Sequence, residues 1–298
     1  MHGLPTERVR EGIISDFLEK YDFLNHGIIG KSLCGRNIDF LRLGSNSKMV
    51  LWAGAFHGME WLTSLVLLKF IKKVCEEIKN ERKILGVDLA QKLNERGLMV
   101  IPCVNPDGVE ISLTGSGGAC KYKEIVDFVS KGNTSSWQAN TRGVDLNHNY
   151  DAGWNELRLL EQKSGIIGPA PTRYGGLYPE SEPETAAITK LCRENNFNHA
   201  IAFHSQGEEI YWKYGMNTPK CSEALATIFA FSSGYELSSP EGLAVGGGFK
   251  DWFITEFNKP AFTVEIGKGE NPLPLSDLDS VYNKLENMLF ISAFVEIN

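Results

Sequence analysis

The sequence predicts an α/β fold in which a central mixed, mostly parallel twisted sheet lies between two layers of helices. Short apolar runs that are typical of buried strands alternate along the chain with longer segments of helical periodicity. Such alternation is the pattern of a three-layer α/β/α arrangement, because parallel strands need crossover helices between them. The 298 residues, 42% of them hydrophobic and 22% charged, are enough to bury a large core.

The first third of the chain supplies two helices and two strands to this fold. Residues 6–20 have the spacing of an amphipathic helix, and residues 37–44 and 48–56 are β-like runs separated by a polar Ser-Asn-Ser turn. Residues 61–81 predict a strong helix, whose apolar positions fall on one face. These positions are Leu67, Ile71, Val74 and Ile78.

The middle of the chain is less regular. Residues 97–108 predict a buried strand that runs into a Pro-Asp-Gly turn. Residues 112–145 are rich in Gly, Ser, Thr and Asn, which is typical of a long functional loop region. Residues 181–195 predict a helix with Ser181 as its N-cap and Pro183 near its start.

The last third returns to alternating strands and helices. The predicted strands cover residues 199–203, 209–214 and 259–267, and the predicted helices cover residues 221–234 and 275–295. No internal repeat, low-complexity linker or break in composition divides the chain. We therefore expect a single domain over residues 1–298, with residues 1–36 as an N-terminal helical lead-in.

Charge and cysteine usage narrow the class of protein. With 37 acidic and 30 basic residues, the net charge is -7 and no basic run stands out, which argues against a nucleic-acid partner. The six cysteines are scattered without a Cys-x-x-Cys pair, a pattern typical of reduced thiols in the cytosol.

Two further features argue against export and against a membrane partner. The N-terminus has no apolar stretch of the signal-peptide kind. The longest apolar run, Trp61 to Ile71, contains Lys69 and is too short to span a bilayer. We expect a cytoplasmic protein, and the sequence leaves its oligomeric state open.

Polar side chains follow four of the predicted strands, at the points where those strands end. His57 and Glu60 follow residues 48–56, and Asn105, His204 and Glu265 follow or close three later strands. In open α/β sheets, ligands bind outside the carboxyl ends of the strands. We therefore expect these side chains to meet at one edge of the sheet, where they could carry chemistry.

Three of these residues have the chemistry of a metal site. The segment HGME places His57 and Glu60 three residues apart at the start of a helix, so that both side chains can face one ion. His204 would supply a second imidazole. Zinc prefers nitrogen and oxygen ligands of this kind, and three protein ligands leave a fourth position open for water.

Each of these signals is weak when it stands alone. A His-x-x-Glu pair occurs by chance in many proteins, and His57 could simply satisfy backbone groups where a helix begins. His204 could be an ordinary hydrogen-bonded histidine. Their shared position at strand ends favours the metal site over these alternatives.

The order of the motifs resembles the zinc carboxypeptidase superfamily from about residue 37 to residue 290. The seven motifs, in order, are HGME, VNPDG, RGVDLNHNY, SEPET, FHS, GGGFKDW and FTVEIG. Three of them, RGVDLN, SEPET and GGGFKDW, look most similar to the bacterial branch that cleaves cell-wall peptides, the γ-D-glutamyl-meso-diaminopimelate peptidases. The resemblance implies a metallopeptidase domain with a peptide substrate.

The resemblance also implies roles for the residues at the strand ends. It places one Zn²⁺ per chain on His57, Glu60 and His204. It assigns Glu265 as the general base and proton shuttle. The residues themselves favour a functional role for Glu265, because an acid that closes an apolar strand is costly to place there.

Three further residues of the RGVDLNHNY block are candidates for substrate contacts. Arg142 would polarise the scissile carbonyl, although it could instead be a loop arginine paired with a nearby acid. Asn147 matches the asparagine that holds a substrate carboxylate in the family, or it forms a turn. His148 stands where the family has a carboxylate-clamping arginine, and Leu243 replaces a common tyrosine. Both departures disfavour ordinary carboxypeptidase activity.

The predicted function is therefore hydrolysis of the γ-D-Glu–meso-diaminopimelate bond in peptides derived from the cell wall. Two alternatives stay open: a peptidase or deacylase for other peptide-like substrates, and a non-catalytic binding module of the same fold. Such a module would be expected to have lost a metal ligand or the base, and all four residues are present. A cysteine hydrolase is disfavoured because even Cys103, the cysteine nearest a strand end, has no neighbouring histidine.

Overall fold

A mixed eight-stranded sheet forms the centre of the protein in the computed structural model, which describes residues 3–216 and 218–295. The strands are β1 (Asn25–Lys31), β2 (Asn37–Gly44), β3 (Val50–Gly54), β4 (Lys83–Ile84), β5 (Val87–Asp88), β6 (Gly97–Ile101), β7 (His199–His204), β8 (Glu209–Tyr211), β9 (Glu236–Ser238) and β10 (Ala261–Glu265). The order across the sheet is β1-β2-β6-β3-β7-β10-β8-β9. β4 and β5 pair only with each other.

The four central strands, β6, β3, β7 and β10, run parallel to one another. They are buried along almost their whole length, as expected for parallel strands that are covered on both faces. On one side, β2 and β1 extend the sheet with antiparallel pairing, and on the other side β8 is antiparallel to β10. The predicted mixed, mostly parallel sheet is confirmed.

Helices cover both faces of this sheet. They are α1 (Glu7–Lys20), α2 (Leu62–Lys79), α3 (Leu89–Glu95), α4 (Pro106–Thr114), α5 (Lys123–Ser130), α6 (Trp154–Lys163), α7 (Pro183–Glu194), α8 (Cys221–Ser233), α9 (Phe249–Phe257) and α10 (Leu278–Phe294). Alternate side chains of β3 belong to two different cores: Trp52 packs among residues of α2, α8 and α10, whereas Leu51 and Ala53 pack with residues of α7 and α9. This division produces the three predicted layers. No helix in residues 3–216 or 218–295 is long and apolar enough to span a bilayer.

Two predictions about local structure were wrong. The Pro-Asp-Gly segment is not a turn but the first turn of α4: Pro106 needs no N–H partner there, and the Asn105 side chain accepts a hydrogen bond from the Gly108 N–H at 2.8 Å. Ser181 is not the N-cap of α7, because Glu182 holds that position. The Ser181 hydroxyl instead donates to a Glu182 carboxylate oxygen.

Other elements were not predicted at all. The first 36 residues contain the edge strand β1 besides the predicted helix, and the predicted loop over residues 112–145 contains α5. α6 and α9 were also missed. These segments have only 7 to 10 residues each, and a segment of so few turns is decided largely by the elements that it packs against.

Candidate metal centre

The predicted metal ligands converge at the carboxyl ends of two neighbouring parallel strands. β3 ends at Gly54, and the chain then bends through His57 into a short 3₁₀ helix that contains Glu60. β7 lies beside β3 and ends at His204, with Gly54 paired to Phe203. The parallel register therefore brings together side chains that are 144 to 147 residues apart in sequence.

The three side chains form a compact set of donor atoms. The Nδ1 atom of His57 lies 2.8 Å from one Glu60 carboxylate oxygen, and the Nδ1 atom of His204 lies 3.0 Å from the other. The two Nδ1 atoms are 3.3 Å apart, and one ligand atom from each residue falls within 4.8 Å of the others. Two imidazole nitrogens and a carboxylate that face one point match the ligand chemistry of zinc, and the group is positioned to bind a metal ion.

Asp145 orients the first of these imidazoles. Its carboxylate lies 3.1 Å from His57 Nε2 and also accepts backbone N–H groups from Asn147 and Arg173. An Nε2–H that donates to a carboxylate leaves Nδ1 free to bind a cation, as in many zinc sites. Asp145 stands in the RGVDLN block but was not predicted as a site residue, because its contact with His57 spans 88 residues.

The charges of this group attract a cation. Burial opposes ionisation of the Glu60 carboxyl, but the His57 and His204 side chains outweigh it and hold the pKa of Glu60 at about 2. Burial likewise opposes a charged His57, yet the Glu60 and Asp145 carboxylates raise the pKa of His57 well above its usual value. The Glu60 and Asp145 carboxylates thus stabilise positive charge in this buried site. A divalent metal can supply that charge in place of the proton on His57.

Glu265 lies beside the metal ligands. It is the last residue of β10 and is paired in register with His204 of the neighbouring parallel strand. Burial, reinforced by the Glu60 carboxylate, raises the pKa of Glu265 well above its usual value. His57, His204 and Glu265 all line one cavity of about 380 Å³, so a substrate bound in this cavity would contact both the metal group and Glu265.

The two predicted substrate-binding residues also line this cavity. The Asn147 side-chain oxygen accepts a hydrogen bond from the Phe249 N–H at 3.0 Å, which leaves its amide hydrogens as donors. The Nδ1 atom of His148 lies 2.8 Å from a Glu161 carboxylate oxygen. Burial lowers the pKa of His148. Their contacts with a substrate stay a prediction.

Arg142 lies elsewhere. Its guanidinium donates to one Glu182 carboxylate oxygen through Nε at 3.0 Å and Nη2 at 2.8 Å, and Nη2 also lies 3.1 Å from the Ser181 carbonyl oxygen. It lines a separate cavity of about 240 Å³ together with Leu177 and Tyr178, and it is not among the residues that line the metal cavity. This geometry is the loop arginine paired with an acid that the sequence also allowed. The catalytic role of Arg142 would require its guanidinium to leave Glu182.

Arg142→Ala distinguishes these two roles. The Glu182 side chain is almost fully buried, so removing its half-exposed partner leaves a poorly compensated carboxylate. We expect a loss of stability of about 1–3 kcal/mol, seen as a lower Tm, with turnover changed less than tenfold. Arg142→Lys, which keeps the charge, should recover part of the stability. A catalytic role predicts the reverse: an unchanged Tm with turnover reduced at least a hundredfold, as measured by thermal unfolding and steady-state kinetics.

Several cavity residues were not singled out from the sequence. The metal cavity is also lined by Gln138, Arg173, Tyr211 and Lys250. Lys250 is buried, pairs with Asp251 and donates to the Lys213 carbonyl oxygen at 3.0 Å. Its place in the GGGFKDW motif was the available signal. The cavity therefore carries charges of both signs, because its lining also includes the acidic residues Asp145, Glu241, Asp251 and Glu265.

Comparison with known proteins supports the metal assignment. The sequence profile of the zinc carboxypeptidase family matches residues 13–288. The chain is 36% identical over 267 residues to gamma-D-glutamyl-L-diamino acid endopeptidase 1 of Lysinibacillus sphaericus, covering 89% of this chain and 66% of that protein. It is 33% identical to the uncharacterized protein YqgT of Bacillus subtilis strain 168, covering 94% of this chain and 75% of that protein.

Solved structures share the fold at low sequence identity. The bovine thrombin-activatable fibrinolysis inhibitor, solved with a tick carboxypeptidase inhibitor, has a TM-score of 0.76 at 22% identity, covering 98% of this chain and 96% of that chain. The murein-tripeptide amidase MpaA of Escherichia coli O157 has a TM-score of 0.56 at 21% identity, covering 92% and 94% of the two chains. At these identities the likeness concerns the fold.

Proposed function

The chain belongs to the zinc carboxypeptidase family and is a metallopeptidase, and from this premise we propose that it hydrolyses the γ-D-Glu–meso-diaminopimelate bond of peptides derived from bacterial cell walls. The observation that carries the reaction is the convergence of His57, Glu60 and His204 on one point, with both histidines lining the same cavity as Glu265. The substrate class is supported by the likeness to a gamma-D-glutamyl-L-diamino acid endopeptidase over 89% of this chain.

The metal and the base divide the work of peptide hydrolysis. When bound by His57, Glu60 and His204, zinc supplies Lewis acidity, which acidifies water and polarises a carbonyl. Glu265 takes the proton from the attacking water and returns it to the leaving nitrogen. Burial and the Glu60 carboxylate raise the pKa of Glu265, which makes this carboxylate a stronger proton acceptor than an ordinary glutamate. Asp145 keeps the His57 ring oriented throughout.

The cavity lacks the carboxylate clamp that is usual in the family. No arginine follows Asn147, and the tyrosine of the family is replaced by Leu243. Among the described residues that line the cavity, the basic side chains are Arg173 and Lys250, and Lys250 pairs with Asp251. A γ-D-Glu–diaminopimelate peptide carries the α-carboxylate of D-glutamate and a second carboxylate on diaminopimelate. The two carboxylates of such a substrate can contact two separate hydrogen-bond donors of the cavity. The single carboxylate of an ordinary C-terminal residue cannot contact both.

We expect the zinc-loaded protein to cleave L-Ala-γ-D-Glu-meso-diaminopimelate at the γ-linked bond. An α-linked peptide of equal length should be cleaved at least tenfold more slowly, because its single terminal carboxylate lacks the bidentate partner that a guanidinium provides. Mass spectrometry of matched digests measures both rates. Rapid release of C-terminal residues from the α-linked peptide, with the wall peptide intact, would replace the substrate assignment and leave the zinc mechanism in place. Binding of either peptide without any turnover would instead indicate a non-catalytic module.

We also propose a domain organisation and a cellular location for the enzyme. We treat residues 1–298 as one catalytic domain, because the metal group draws its ligands from strands that lie side by side in a single sheet. We place the protein in the cytoplasm, where its six free cysteines would stay reduced. There the substrates would be wall peptides that have been taken up.

A further inference from the structure

His148 has one ring nitrogen, Nδ1, bound to a buried acid. It ends a short 3₁₀ helix, Leu146–His148, in the wall of the metal cavity, and 10% of its side chain is exposed. Nδ1 lies 2.8 Å from Glu161 Oε1. Within the described part of the chain, no hydrogen-bond partner is found for Nε2. Because Nδ1 is engaged by a fully buried carboxylate, Nε2 is the ring nitrogen that remains for a ligand in the cavity.

Glu161 is held as an anion by its other contacts. Its side chain is fully buried, and its second oxygen accepts the Gly175 N–H at 3.1 Å and the Arg158 guanidinium. These donors favour the ionised form of the Glu161 side chain. An ionised carboxylate only accepts hydrogen bonds. The proton shared between Glu161 and His148 must therefore reside on Nδ1 of the imidazole.

This tautomer determines what His148 can offer to a substrate. A neutral imidazole that carries its proton on Nδ1 has a lone pair on Nε2, so Nε2 is a hydrogen-bond acceptor. Burial opposes a second proton on this ring and lowers the pKa of His148, although the Asp145 carboxylate acts in the other direction. An acceptor repels a carboxylate, so His148 cannot take over the work of the arginine that it replaces.

We propose that His148 selects the substrate by accepting a hydrogen bond through Nε2 from the distal ammonium group of a diamino acid. This inference rests on the proposed function and deepens it. Asn147 and Lys250 would hold carboxylates, and His148 would recognise the amine that distinguishes a diamino acid from an ordinary dicarboxylic residue. Glu161 acts as a positioning residue, because it decides which ring nitrogen carries the proton.

The tautomer can be measured in the zinc-loaded protein without any turnover. Nitrogen-15 NMR of histidine-labelled protein should show His148 with a protonated Nδ1 and an unprotonated Nε2, the signals being assigned by their loss in His148→Phe. In Glu161→Gln, the new amide can donate to Nδ1, and the proton should move to Nε2. A wild-type Nε2 that carries a proton near pH 7 would overturn the inference. Should Glu161→Gln fail to fold, the wild-type spectrum alone decides this point.

Selectivity is measured with two matched peptides, one ending in diaminopimelate and the other in the same residue with its distal amine replaced by hydrogen. Binding to zinc-loaded Glu265→Gln protein, followed by calorimetry, should be about 10- to 100-fold tighter for the diamino peptide, the range for one hydrogen bond to a charged group. Adding His148→Phe should reduce this preference to less than threefold, mainly by weakening the diamino peptide. A preference that survives in His148→Phe would overturn the inference.

The failures of the two proposals are distinguishable. Amine-dependent binding with no cleavage by the wild-type enzyme would contradict only the proposed reaction and would support the role of His148. Cleavage of both peptides at equal rates, with equal affinities, would contradict only the role of His148. If neither peptide binds, the assignment of His148 is overturned, whatever the NMR spectrum shows.

Discussion

Glu265→Gln should lower turnover by about 10²- to 10⁴-fold, the usual contribution of a general acid–base group, while the zinc content and the Tm stay close to those of the wild type. Glutamine has nearly the shape of glutamate but cannot take a proton from water. Glu265 is paired in register with His204 on the neighbouring strand but does not belong to the metal group, so the ion should remain bound. Single-turnover kinetics together with metal analysis of the same preparation measure both effects.

Glu209→Gln is a matched control for this experiment. Glu209 lies opposite Glu265 on the antiparallel strand β8, and its carboxylate accepts a hydrogen bond from the Tyr211 hydroxyl. This control removes a neighbouring negative charge without touching the proposed base, and its turnover should change only a few-fold. Near-normal turnover in Glu265→Gln would show that the base lies elsewhere.

Loss of the two imidazoles should remove the metal. The purified wild-type protein is expected to carry about one zinc per chain, and His57→Ala or His204→Ala should lower both zinc content and activity, because three protein ligands hold the ion. The double variant should retain essentially no zinc and no activity. Plasma mass spectrometry gives the metal content, and a zinc-dependent rise in Tm, present in the wild type and absent in the double variant, gives an independent readout.

His26→Ala controls for the removal of a histidine that is outside the metal group. His26 lies on the edge strand β1, where its ring pairs with Asp39. This variant should keep about one zinc per chain and nearly full activity. If the double variant of His57 and His204 still binds a full equivalent of zinc, this ligand set is wrong, and Glu60 alone could not explain the result.

The alternation of strands and helices was readable from the sequence because its causes are local. The apolar runs of β3, β6, β7 and β10 are nearly continuous, as burial on both faces requires, and α2 has a clear apolar stripe. The start of α4 could not be predicted in this way. Proline, aspartate and glycine are typical of turns, and only the side-chain contact of Asn105 turned them into a helical first turn.

For the site, the positions at strand ends indicated that His57, Glu60, His204 and Glu265 could meet, and the resemblance to the zinc carboxypeptidase superfamily supplied their expected roles. The carboxyl ends of parallel strands meet at one edge of the sheet, so residues that follow such strands can be recognised from the sequence as neighbours. The partners of the remaining side chains were decided by the tertiary structure. Arg142 pairs with Glu182, His57 with Asp145 and His148 with Glu161, and each pairing joins residues that no strand-end rule relates. Hydrogen bonds of this kind depend on where loops and helices pack, and burial makes the choice of partner costly to change.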